Sequence, residues 1–183
     1  PVLINGATHQ ISATATAIAA GGTHSYVVVM AFTASPSTAA TSLTCSGTPG
    51  NGAYNAASIG SAAPAASACG NLPGLPNLTL AKSSNGPWSA GQTGAQYVLT
   101  VTNVGNAVTS GTTKVVDTLP TGVSAVNTTN NGWACTVIGQ AVTCETTAAL
   151  AVGTPSAITL PVTLSSTLVS STGVVNVASV GGG

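Results

Sequence analysis

Charge is what this chain has least of. Lysine and arginine together number 2 and aspartate and glutamate 2 in 183 residues, a charged fraction of 2%, against about 25% in ordinary globular proteins. Arginine is absent. The cations are Lys82 and Lys114, the anions Asp117 and Glu145. Net charge is zero, so there is no field to attract nucleic acid or an anionic membrane surface. Two acids far apart in sequence cannot build an oxygen cage for calcium. No C-x-x-C occurs, and His9 and His24 both lie outside the cysteine hairpin described below, which argues against zinc. No apolar run approaches the roughly 18 residues of a membrane span. The longest, YVVVMAF from Tyr26 to Phe32, has the length of a buried strand. Amphipathic helices of useful length are missing, and so is a signal peptide. The abrupt start at Pro1 and the GGG ending suggest a processed chain or a segment of a longer parent.

Apolar residues, mostly Ala and Val, make up 44% of the chain. That is too many for a disordered polymer, which combines low hydrophobicity with high charge. Val and Thr favour strands, and Gly and Pro punctuate them. The composition is that of an all-β protein with a neutral, hydroxyl-rich surface. Zero net charge promotes association, so self-assembly or glycan cover is expected. Asn77-Leu78-Thr79 and Asn127-Thr128-Thr129 are candidate glycosylation sequons.

The four cysteines suit disulfides. In CTVIGQAVTC, a two-residue turn at Gly139-Gln140 pairs Ile138 with Ala141, Val137 with Val142 and Cys135 with Cys144. Gly in the first turn position suits a type II′ hairpin. The cysteines then face each other at a non-hydrogen-bonded pair, where strands approach most closely. Closing that loop of about ten residues is worth up to about 2.7 kcal/mol. Cys45 and Cys69 are left to pair with each other, and two disulfides imply an oxidising compartment.

Alternation and turn signals predict strands at 77–82, 95–105, 112–119, the cysteine hairpin, 156–165 and 173–180. About seven strands in about 105 residues suggest a two-sheet sandwich of immunoglobulin type. An internal repeat accompanies them. Residues 150–180 (LAVGTPSAITLPVTLSS…STGVVNVASV) align with 18–59 (IAAGGTHSYVVVMAFTAS…GNGAYNAASI), and VLINGATHQISATATA upstream resembles CTVIGQAVTCETTAA. The expected organisation is immunoglobulin-like β-sandwich modules in tandem. Residues 1–72 form an incomplete first module (the C-terminal half), 73–76 a linker and 77–183 a complete module.

The stretch 76–183 resembles a bacterial surface repeat known as domain of unknown function eleven. The resemblance rests on Lys82, on G-x-x-Y-x-L-x-V-x-N-x-G (94–105), on V-x-D-T-L-P-x-G (115–122) and on N-x-A-S-V (176–180). It implies tandem immunoglobulin-like modules on long secreted or wall-associated bacterial proteins, and no enzyme.

Strand parity gives the rare charges a direction. Leu78, Leu80 and Lys82 share a face, as do Val115, Asp117 and Leu119, and Val174, Asn176, Ala178 and Val180. Those faces are the expected core, while Lys114 points the other way. The layout is similar to the self-cross-linked sandwiches of Gram-positive pili, in which a Lys amine attacks an Asn carboxamide beside a buried acid. Lys82, Asp117 and Asn176 are therefore isopeptide candidates. Asn55 is the counterpart of Asn176 in the half module, and no matching lysine lies upstream of it. The plainer alternatives are an ion pair between Lys82 and Asp117, or an Asp117 that bonds the amides of the turn after it.

Other patterns carry less. LPTG at 119–122 lacks the extra residue, apolar tail and basic end of a sortase signal. A Ser-His-Asp triad built from His9 or His24 with Asp117 has no supporting motif. Trp88 and Trp133 could form a sugar platform or cap the core. The function expected is structural: a module of an extracellular bacterial filament, pilus-like fibre or surface stalk, with itself as partner, no cofactor and no catalysis. Strand completion by a neighbour fits the half module. The alternative is an adhesin repeat binding glycans or proteins.

Overall fold

The computed structural model describes residues 2–5, 10–13, 17–31, 35–38, 40–47, 51–58, 66–168 and 175–183. His9 and Val174 lie outside them. The chain divides into two compact units, Pro1–Phe32 and Thr33–Gly183. In the first, β1 (Val2–Asn5) and β2 (Gln10–Ala13) pair as an antiparallel hairpin. The second contains one helical turn, α1 (Ala40–Leu43), then β3 (Ala53–Ala57) antiparallel to β4 (Ala66–Gly70). The strands that follow are β5 (Leu78–Ser84), β6 (Ala95–Asn103), β7 (Thr113–Thr118), β8 (Val123–Ala125), β9 (Thr128–Asn130), β10 (Trp133–Ile138), β11 (Ala141–Thr146), β12 (Pro155–Leu164) and β13 (Val177–Gly182).

The fold is all-β. Strands β5 to β13 form two antiparallel sheets, a four-stranded one in the order β5-β6-β12-β8 and a five-stranded one in the order β13-β7-β11-β10-β9. They share one core, as in a β-sandwich. Strict alternation builds it. Along β6 the residues Ala95, Tyr97, Leu99, Val101 and Asn103 are all buried, and on β12 so are Ile158, Leu160, Val162 and Leu164. Val115, Trp133, Cys135, Val142 and Cys144 supply the facing side. Fully burying a Leu or Val is worth about 1.5–3 kcal/mol, so the alternating pattern outweighs the scarcity of aromatics.

The cysteine hairpin has the expected register, with Cys135 opposite Cys144 and Ile138 opposite Ala141. Gly139 alone in the turn has a positive φ, 61°, as a II′ turn requires. The Cα atoms of the two cysteines are 3.9 Å apart, and the disulfide is formed. Cys45 and Cys69 are also bonded, tying the segment after α1 to β4.

Two asparagines finish the sandwich. Asn103 is fully buried and fully used. Its Oδ1 accepts from the Asn77 and Gly105 amides at 3.1 and 3.0 Å, and its Nδ2 donates to the Ala107 and Leu150 carbonyls at 2.7 and 3.0 Å. Asn130, on β9, serves the edge of β12 before its ladder with β8 begins at Val162. It accepts from the Thr159 amide at 2.9 Å and donates to the Thr159 carbonyl at 2.8 Å. Residues 73–76 are held to the same unit: the Leu75 amide donates to Asn106 Oδ1 at 2.6 Å. Gly105 packs so closely on the Leu75–Pro76 backbone that any β-carbon there would collide.

One expectation fails. The apolar run from Tyr26 was expected to be a buried strand, yet residues 26–31 are exposed and outside any ladder. Val27 and Val29 are 91% and 92% exposed, Tyr26, Val28 and Met30 less so. The physical reason is the absence of a partner sheet among the described residues, since an alternating strand buries a face only against another layer.

Its repeat counterpart shows what that layer would be. Ile18 to Ala31 corresponds to Leu150 to Thr163 without a gap. Gly21 and Gly153 both have positive φ, 79° and 74°. The Gly22 amide bonds the Ala19 carbonyl just as that of Thr154 bonds Ala151. Two residues further on in the first copy, Ser35 and Ser37 share a hydroxyl bond of the kind that Ser165 and Thr167 share, both at 2.8 Å. The local turns are therefore the same in both copies, and the burial is opposite.

Candidate functional site

Among the described residues, Lys82, Asp117 and Asn176 form a polar cluster at the core. Lys82 lies on β5, at the edge of the four-stranded sheet, opposite Leu99. Asp117 lies on β7, between Val142 of β11 and Ala178 of β13. Asn176 immediately precedes β13, the edge of the five-stranded sheet. Parity sends all three inward, as expected from sequence. The Asp117 side chain is 1% exposed and that of Lys82 15%.

A single oxygen joins them. Asp117 Oδ2 accepts from Lys82 Nζ at 2.6 Å and from Asn176 Nδ2 at 3.3 Å. The other oxygens of the two acceptor-bearing groups, Asp117 Oδ1 and Asn176 Oδ1, are buried without a hydrogen-bond partner. Leaving a buried acceptor unmatched costs about 1–3 kcal/mol, so the cluster is imperfect as a purely structural network. No bond from Asp117 to a turn amide occurs among the described residues. Asp117 faces Lys82 and Asn176 instead.

Tyr97 lines the site and Trp88 packs behind it, and neither was singled out for it from sequence. Lys82 Nζ sits 4.5 Å from the Tyr97 ring centroid, and Trp88 packs edge-on against Tyr97 at 4.9 Å. Trp88 is itself positioned by Nε1 donating to Asn85 Oδ1 at 2.7 Å. Burial lowers the Lys82 pKa from its ordinary value of 10.5, against the opposing pull of Asp117. Burial likewise raises that of Tyr97, whose hydroxyl also engages the Asn176 side chain. The signal for Tyr97 was available: it shares parity with Leu99 and Val101 in the G-x-x-Y motif. The sequence allowed Trp88 to cap the core, and it does pack against it; nothing local pointed to its place beside Tyr97.

The remaining candidates are dispersed. Asn55 is exposed on β3, opposite Ala68. Asn77 and Asn127 are exposed, as sequon asparagines must be, and Asn127 Oδ1 accepts from the Val137 amide at 2.7 Å. Trp133 lies fully inside the core with Nε1 on Ser156 Oγ at 2.9 Å, which corrects its candidacy as a sugar platform. Lys114 and Glu145 form the outer-face pair across β7 and β11, at 2.9 Å and about half exposed.

Comparison with known sequences adds no relative. No family model matches the chain, and no curated protein matches it by sequence.

Proposed function

We propose that the chain is a structural module of an extracellular bacterial filament, pilus-like fibre or surface stalk. In this reading it consists of immunoglobulin-like modules in tandem, the first completed by strands from a neighbouring copy. The observation that carries it is the exposed segment Tyr26–Ala31. Its counterpart, Ile158–Thr163, is flanked by β6 and, from Val162, by β8, with Ile158, Leu160 and Val162 buried. A segment with the same preceding turn and apolar residues at the positions of Ile158, Leu160 and Val162 has what a sandwich strand needs except the neighbouring strands and the opposing layer. Strand addition supplies that layer through main-chain bonds and alternate side-chain pockets.

Three further features support this reading. A neutral surface offers no repulsion between copies. Two disulfides suit an oxidising, extracellular setting. The bacterial surface repeat that 76–183 resembles in its motifs, though no family model matches it, would belong in such a setting. The adhesin alternative is weakened, because Trp133 presents no face to solvent and Trp88 packs on Tyr97.

The test is direct. The 183-residue chain, concentrated and viewed by electron microscopy with light scattering in parallel, is expected to form filaments or higher oligomers. Val28→Asp is expected to abolish them while leaving the thermal transition of the sandwich in place. A chain that stays monomeric at high concentration, or assembles equally well with Asp at 28, sinks the reading.

A further inference from the structure

The geometry of Lys82, Asp117 and Asn176 points to covalent chemistry. We propose that Lys82 and Asn176 join through an isopeptide bond between the two sheets, with Asp117 as the catalytic acid and base. The cross-link lies within one chain, so it stands or falls independently of assembly.

Three observations carry it. First, one carboxylate oxygen touches both nitrogens that such a reaction exchanges. Asp117 Oδ2 is 2.6 Å from Lys82 Nζ, the nucleophile, and 3.3 Å from Asn176 Nδ2, the leaving group. A proton taken from one can be handed to the other without any movement of the backbone. Second, the amide is held by its leaving nitrogen, while its carbonyl oxygen is buried and free. Third, the Tyr97 ring covers one side of the amine at 4.5 Å, with Trp88 packed edge-on behind it, and the Lys82 side chain is only 15% exposed. The neutral amine is the reactive form, and burial favours it.

The atoms balance without a redox partner. The Lys82 ammonium gives a proton to Asp117. The neutral Nζ then attacks Asn176 Cγ, forming the new C–N bond as the carbonyl opens to an oxyanion. Asp117 returns its proton to Nδ2, the Cγ–Nδ2 bond breaks as the carbonyl re-forms, and ammonia leaves. The surplus proton on the new amide nitrogen passes back to Asp117. The products are a secondary amide, neutral Asp117 and one ammonia.

Asp117 Oδ1 and Asn176 Oδ1 are both acceptors without a donor. A neutral Asp117 carries the missing proton and can donate it to the cross-link carbonyl. Asn55 is an internal control. It occupies the corresponding position of the repeat but lies exposed on β3, opposite Ala68, so it is expected to keep its carboxamide.

Intact mass spectrometry of the folded 183-residue chain, with both disulfides counted, is expected to read one ammonia below the sequence mass. A proteolytic digest is expected to contain the Lys82 and Asn176 peptides joined. Asp117→Asn and Asn176→Ala are expected to restore the full mass. Should Asp117→Asn fail to fold, the joined peptide in the unmutated protein still decides the matter. Asn-Gly pairs such as Asn51-Gly52 can lose ammonia as succinimides, so a mass loss without joined peptides overturns the proposal. So does a full-mass protein whose Lys82 reacts with an amine reagent after unfolding, or an Asp117→Asn chain that cross-links as completely as the unmutated one.

Discussion

Ile18–Ala31 and Leu150–Thr163 are two copies of one pattern with opposite fates. Each has a left-handed glycine in the same turn, at 21 and 153, and the same turn hydrogen bond after it. The second then runs into the alternating strand β12, the first into an unbroken apolar run from Tyr26. In the second copy Ile158 and Leu160 are completely buried, while in the first their counterparts Tyr26 and Val28 are 59% and 42% exposed. The difference teaches that the local code for a turn and a strand is self-sufficient and the code for burial is not. A turn is closed by atoms a few residues apart. A buried face needs another layer, which must come from elsewhere in the chain or from another molecule.

The sharpest way to break the comparison is to truncate the matched positions. Leu160→Ala is expected to destabilise the sandwich by about 2–5 kcal/mol, the cost of a cavity in a packed core. In the unassembled chain, Val28→Ala is expected to stay within about 0.5 kcal/mol, as read by urea unfolding. Equal losses at both sites would mean that the Tyr26 segment is buried in solution. In an assembled sample, Val28→Ala is expected to weaken the oligomer instead, and a concentration series would show it.

The two matched hairpins offer a second comparison, since β10–β11 carries a disulfide and β1–β2 has no cysteine. Replacing Cys135 and Cys144 together by Ala is expected to lower stability by up to about 2.7 kcal/mol, from the entropy regained by a loop of about ten residues. A loss near zero in thermal or urea unfolding would mean that the ladder alone fixes the hairpin.

The two ion pairs give a third. Lys82 titrates below its ordinary 10.5 in the folded chain, so between that lowered value and 10.5 the unfolded state binds more protons. Stability contributed by Lys82 therefore rises with pH across that window. Tyr97, raised above 10.0, acts in the opposite direction: its contribution falls as pH climbs past 10.0 toward the raised value. Asn176→Ala, which cannot cross-link, is expected to show the Lys82 slope, and a cross-linked parent is expected to lack it because its Lys82 no longer titrates. Denaturation curves at a series of pH values would separate the two, and identical slopes would contradict the cross-link. The smallest effect is expected at the surface pair. Lys114→Ala should cost at most about 1 kcal/mol and less in high salt.

Much of the candidate site was legible in sequence because parity is a strong rule in strands. Lys82, Asp117 and Asn176 each share a face with apolar neighbours, and a charge at such a position is costly unless it has a partner. The hairpin register was legible because a two-residue turn fixes every pair after it. That Trp88 caps the core was legible from its Gly-Pro turn, but its contact with Tyr97 was not: it stands outside any strand, held by a bond to Asn85. The role of Asn103 was not legible either, although its motif was. Four bonds to the surrounding loops are visible only once those loops converge.

By itself, then, the sequence determined the longer strands of 77–183, the hairpin turn, the cysteine register and the inward direction of Lys82 and Asp117. These depend on residue type and on the two-residue period of an extended backbone. Only the tertiary structure decided which strands share a sheet, that Asp117 Oδ2 meets both Lys82 and Asn176, and that the Tyr26 segment is left uncovered. Those outcomes depend on layers brought together across long stretches of chain, where proximity is set by packing and not by spacing along the backbone.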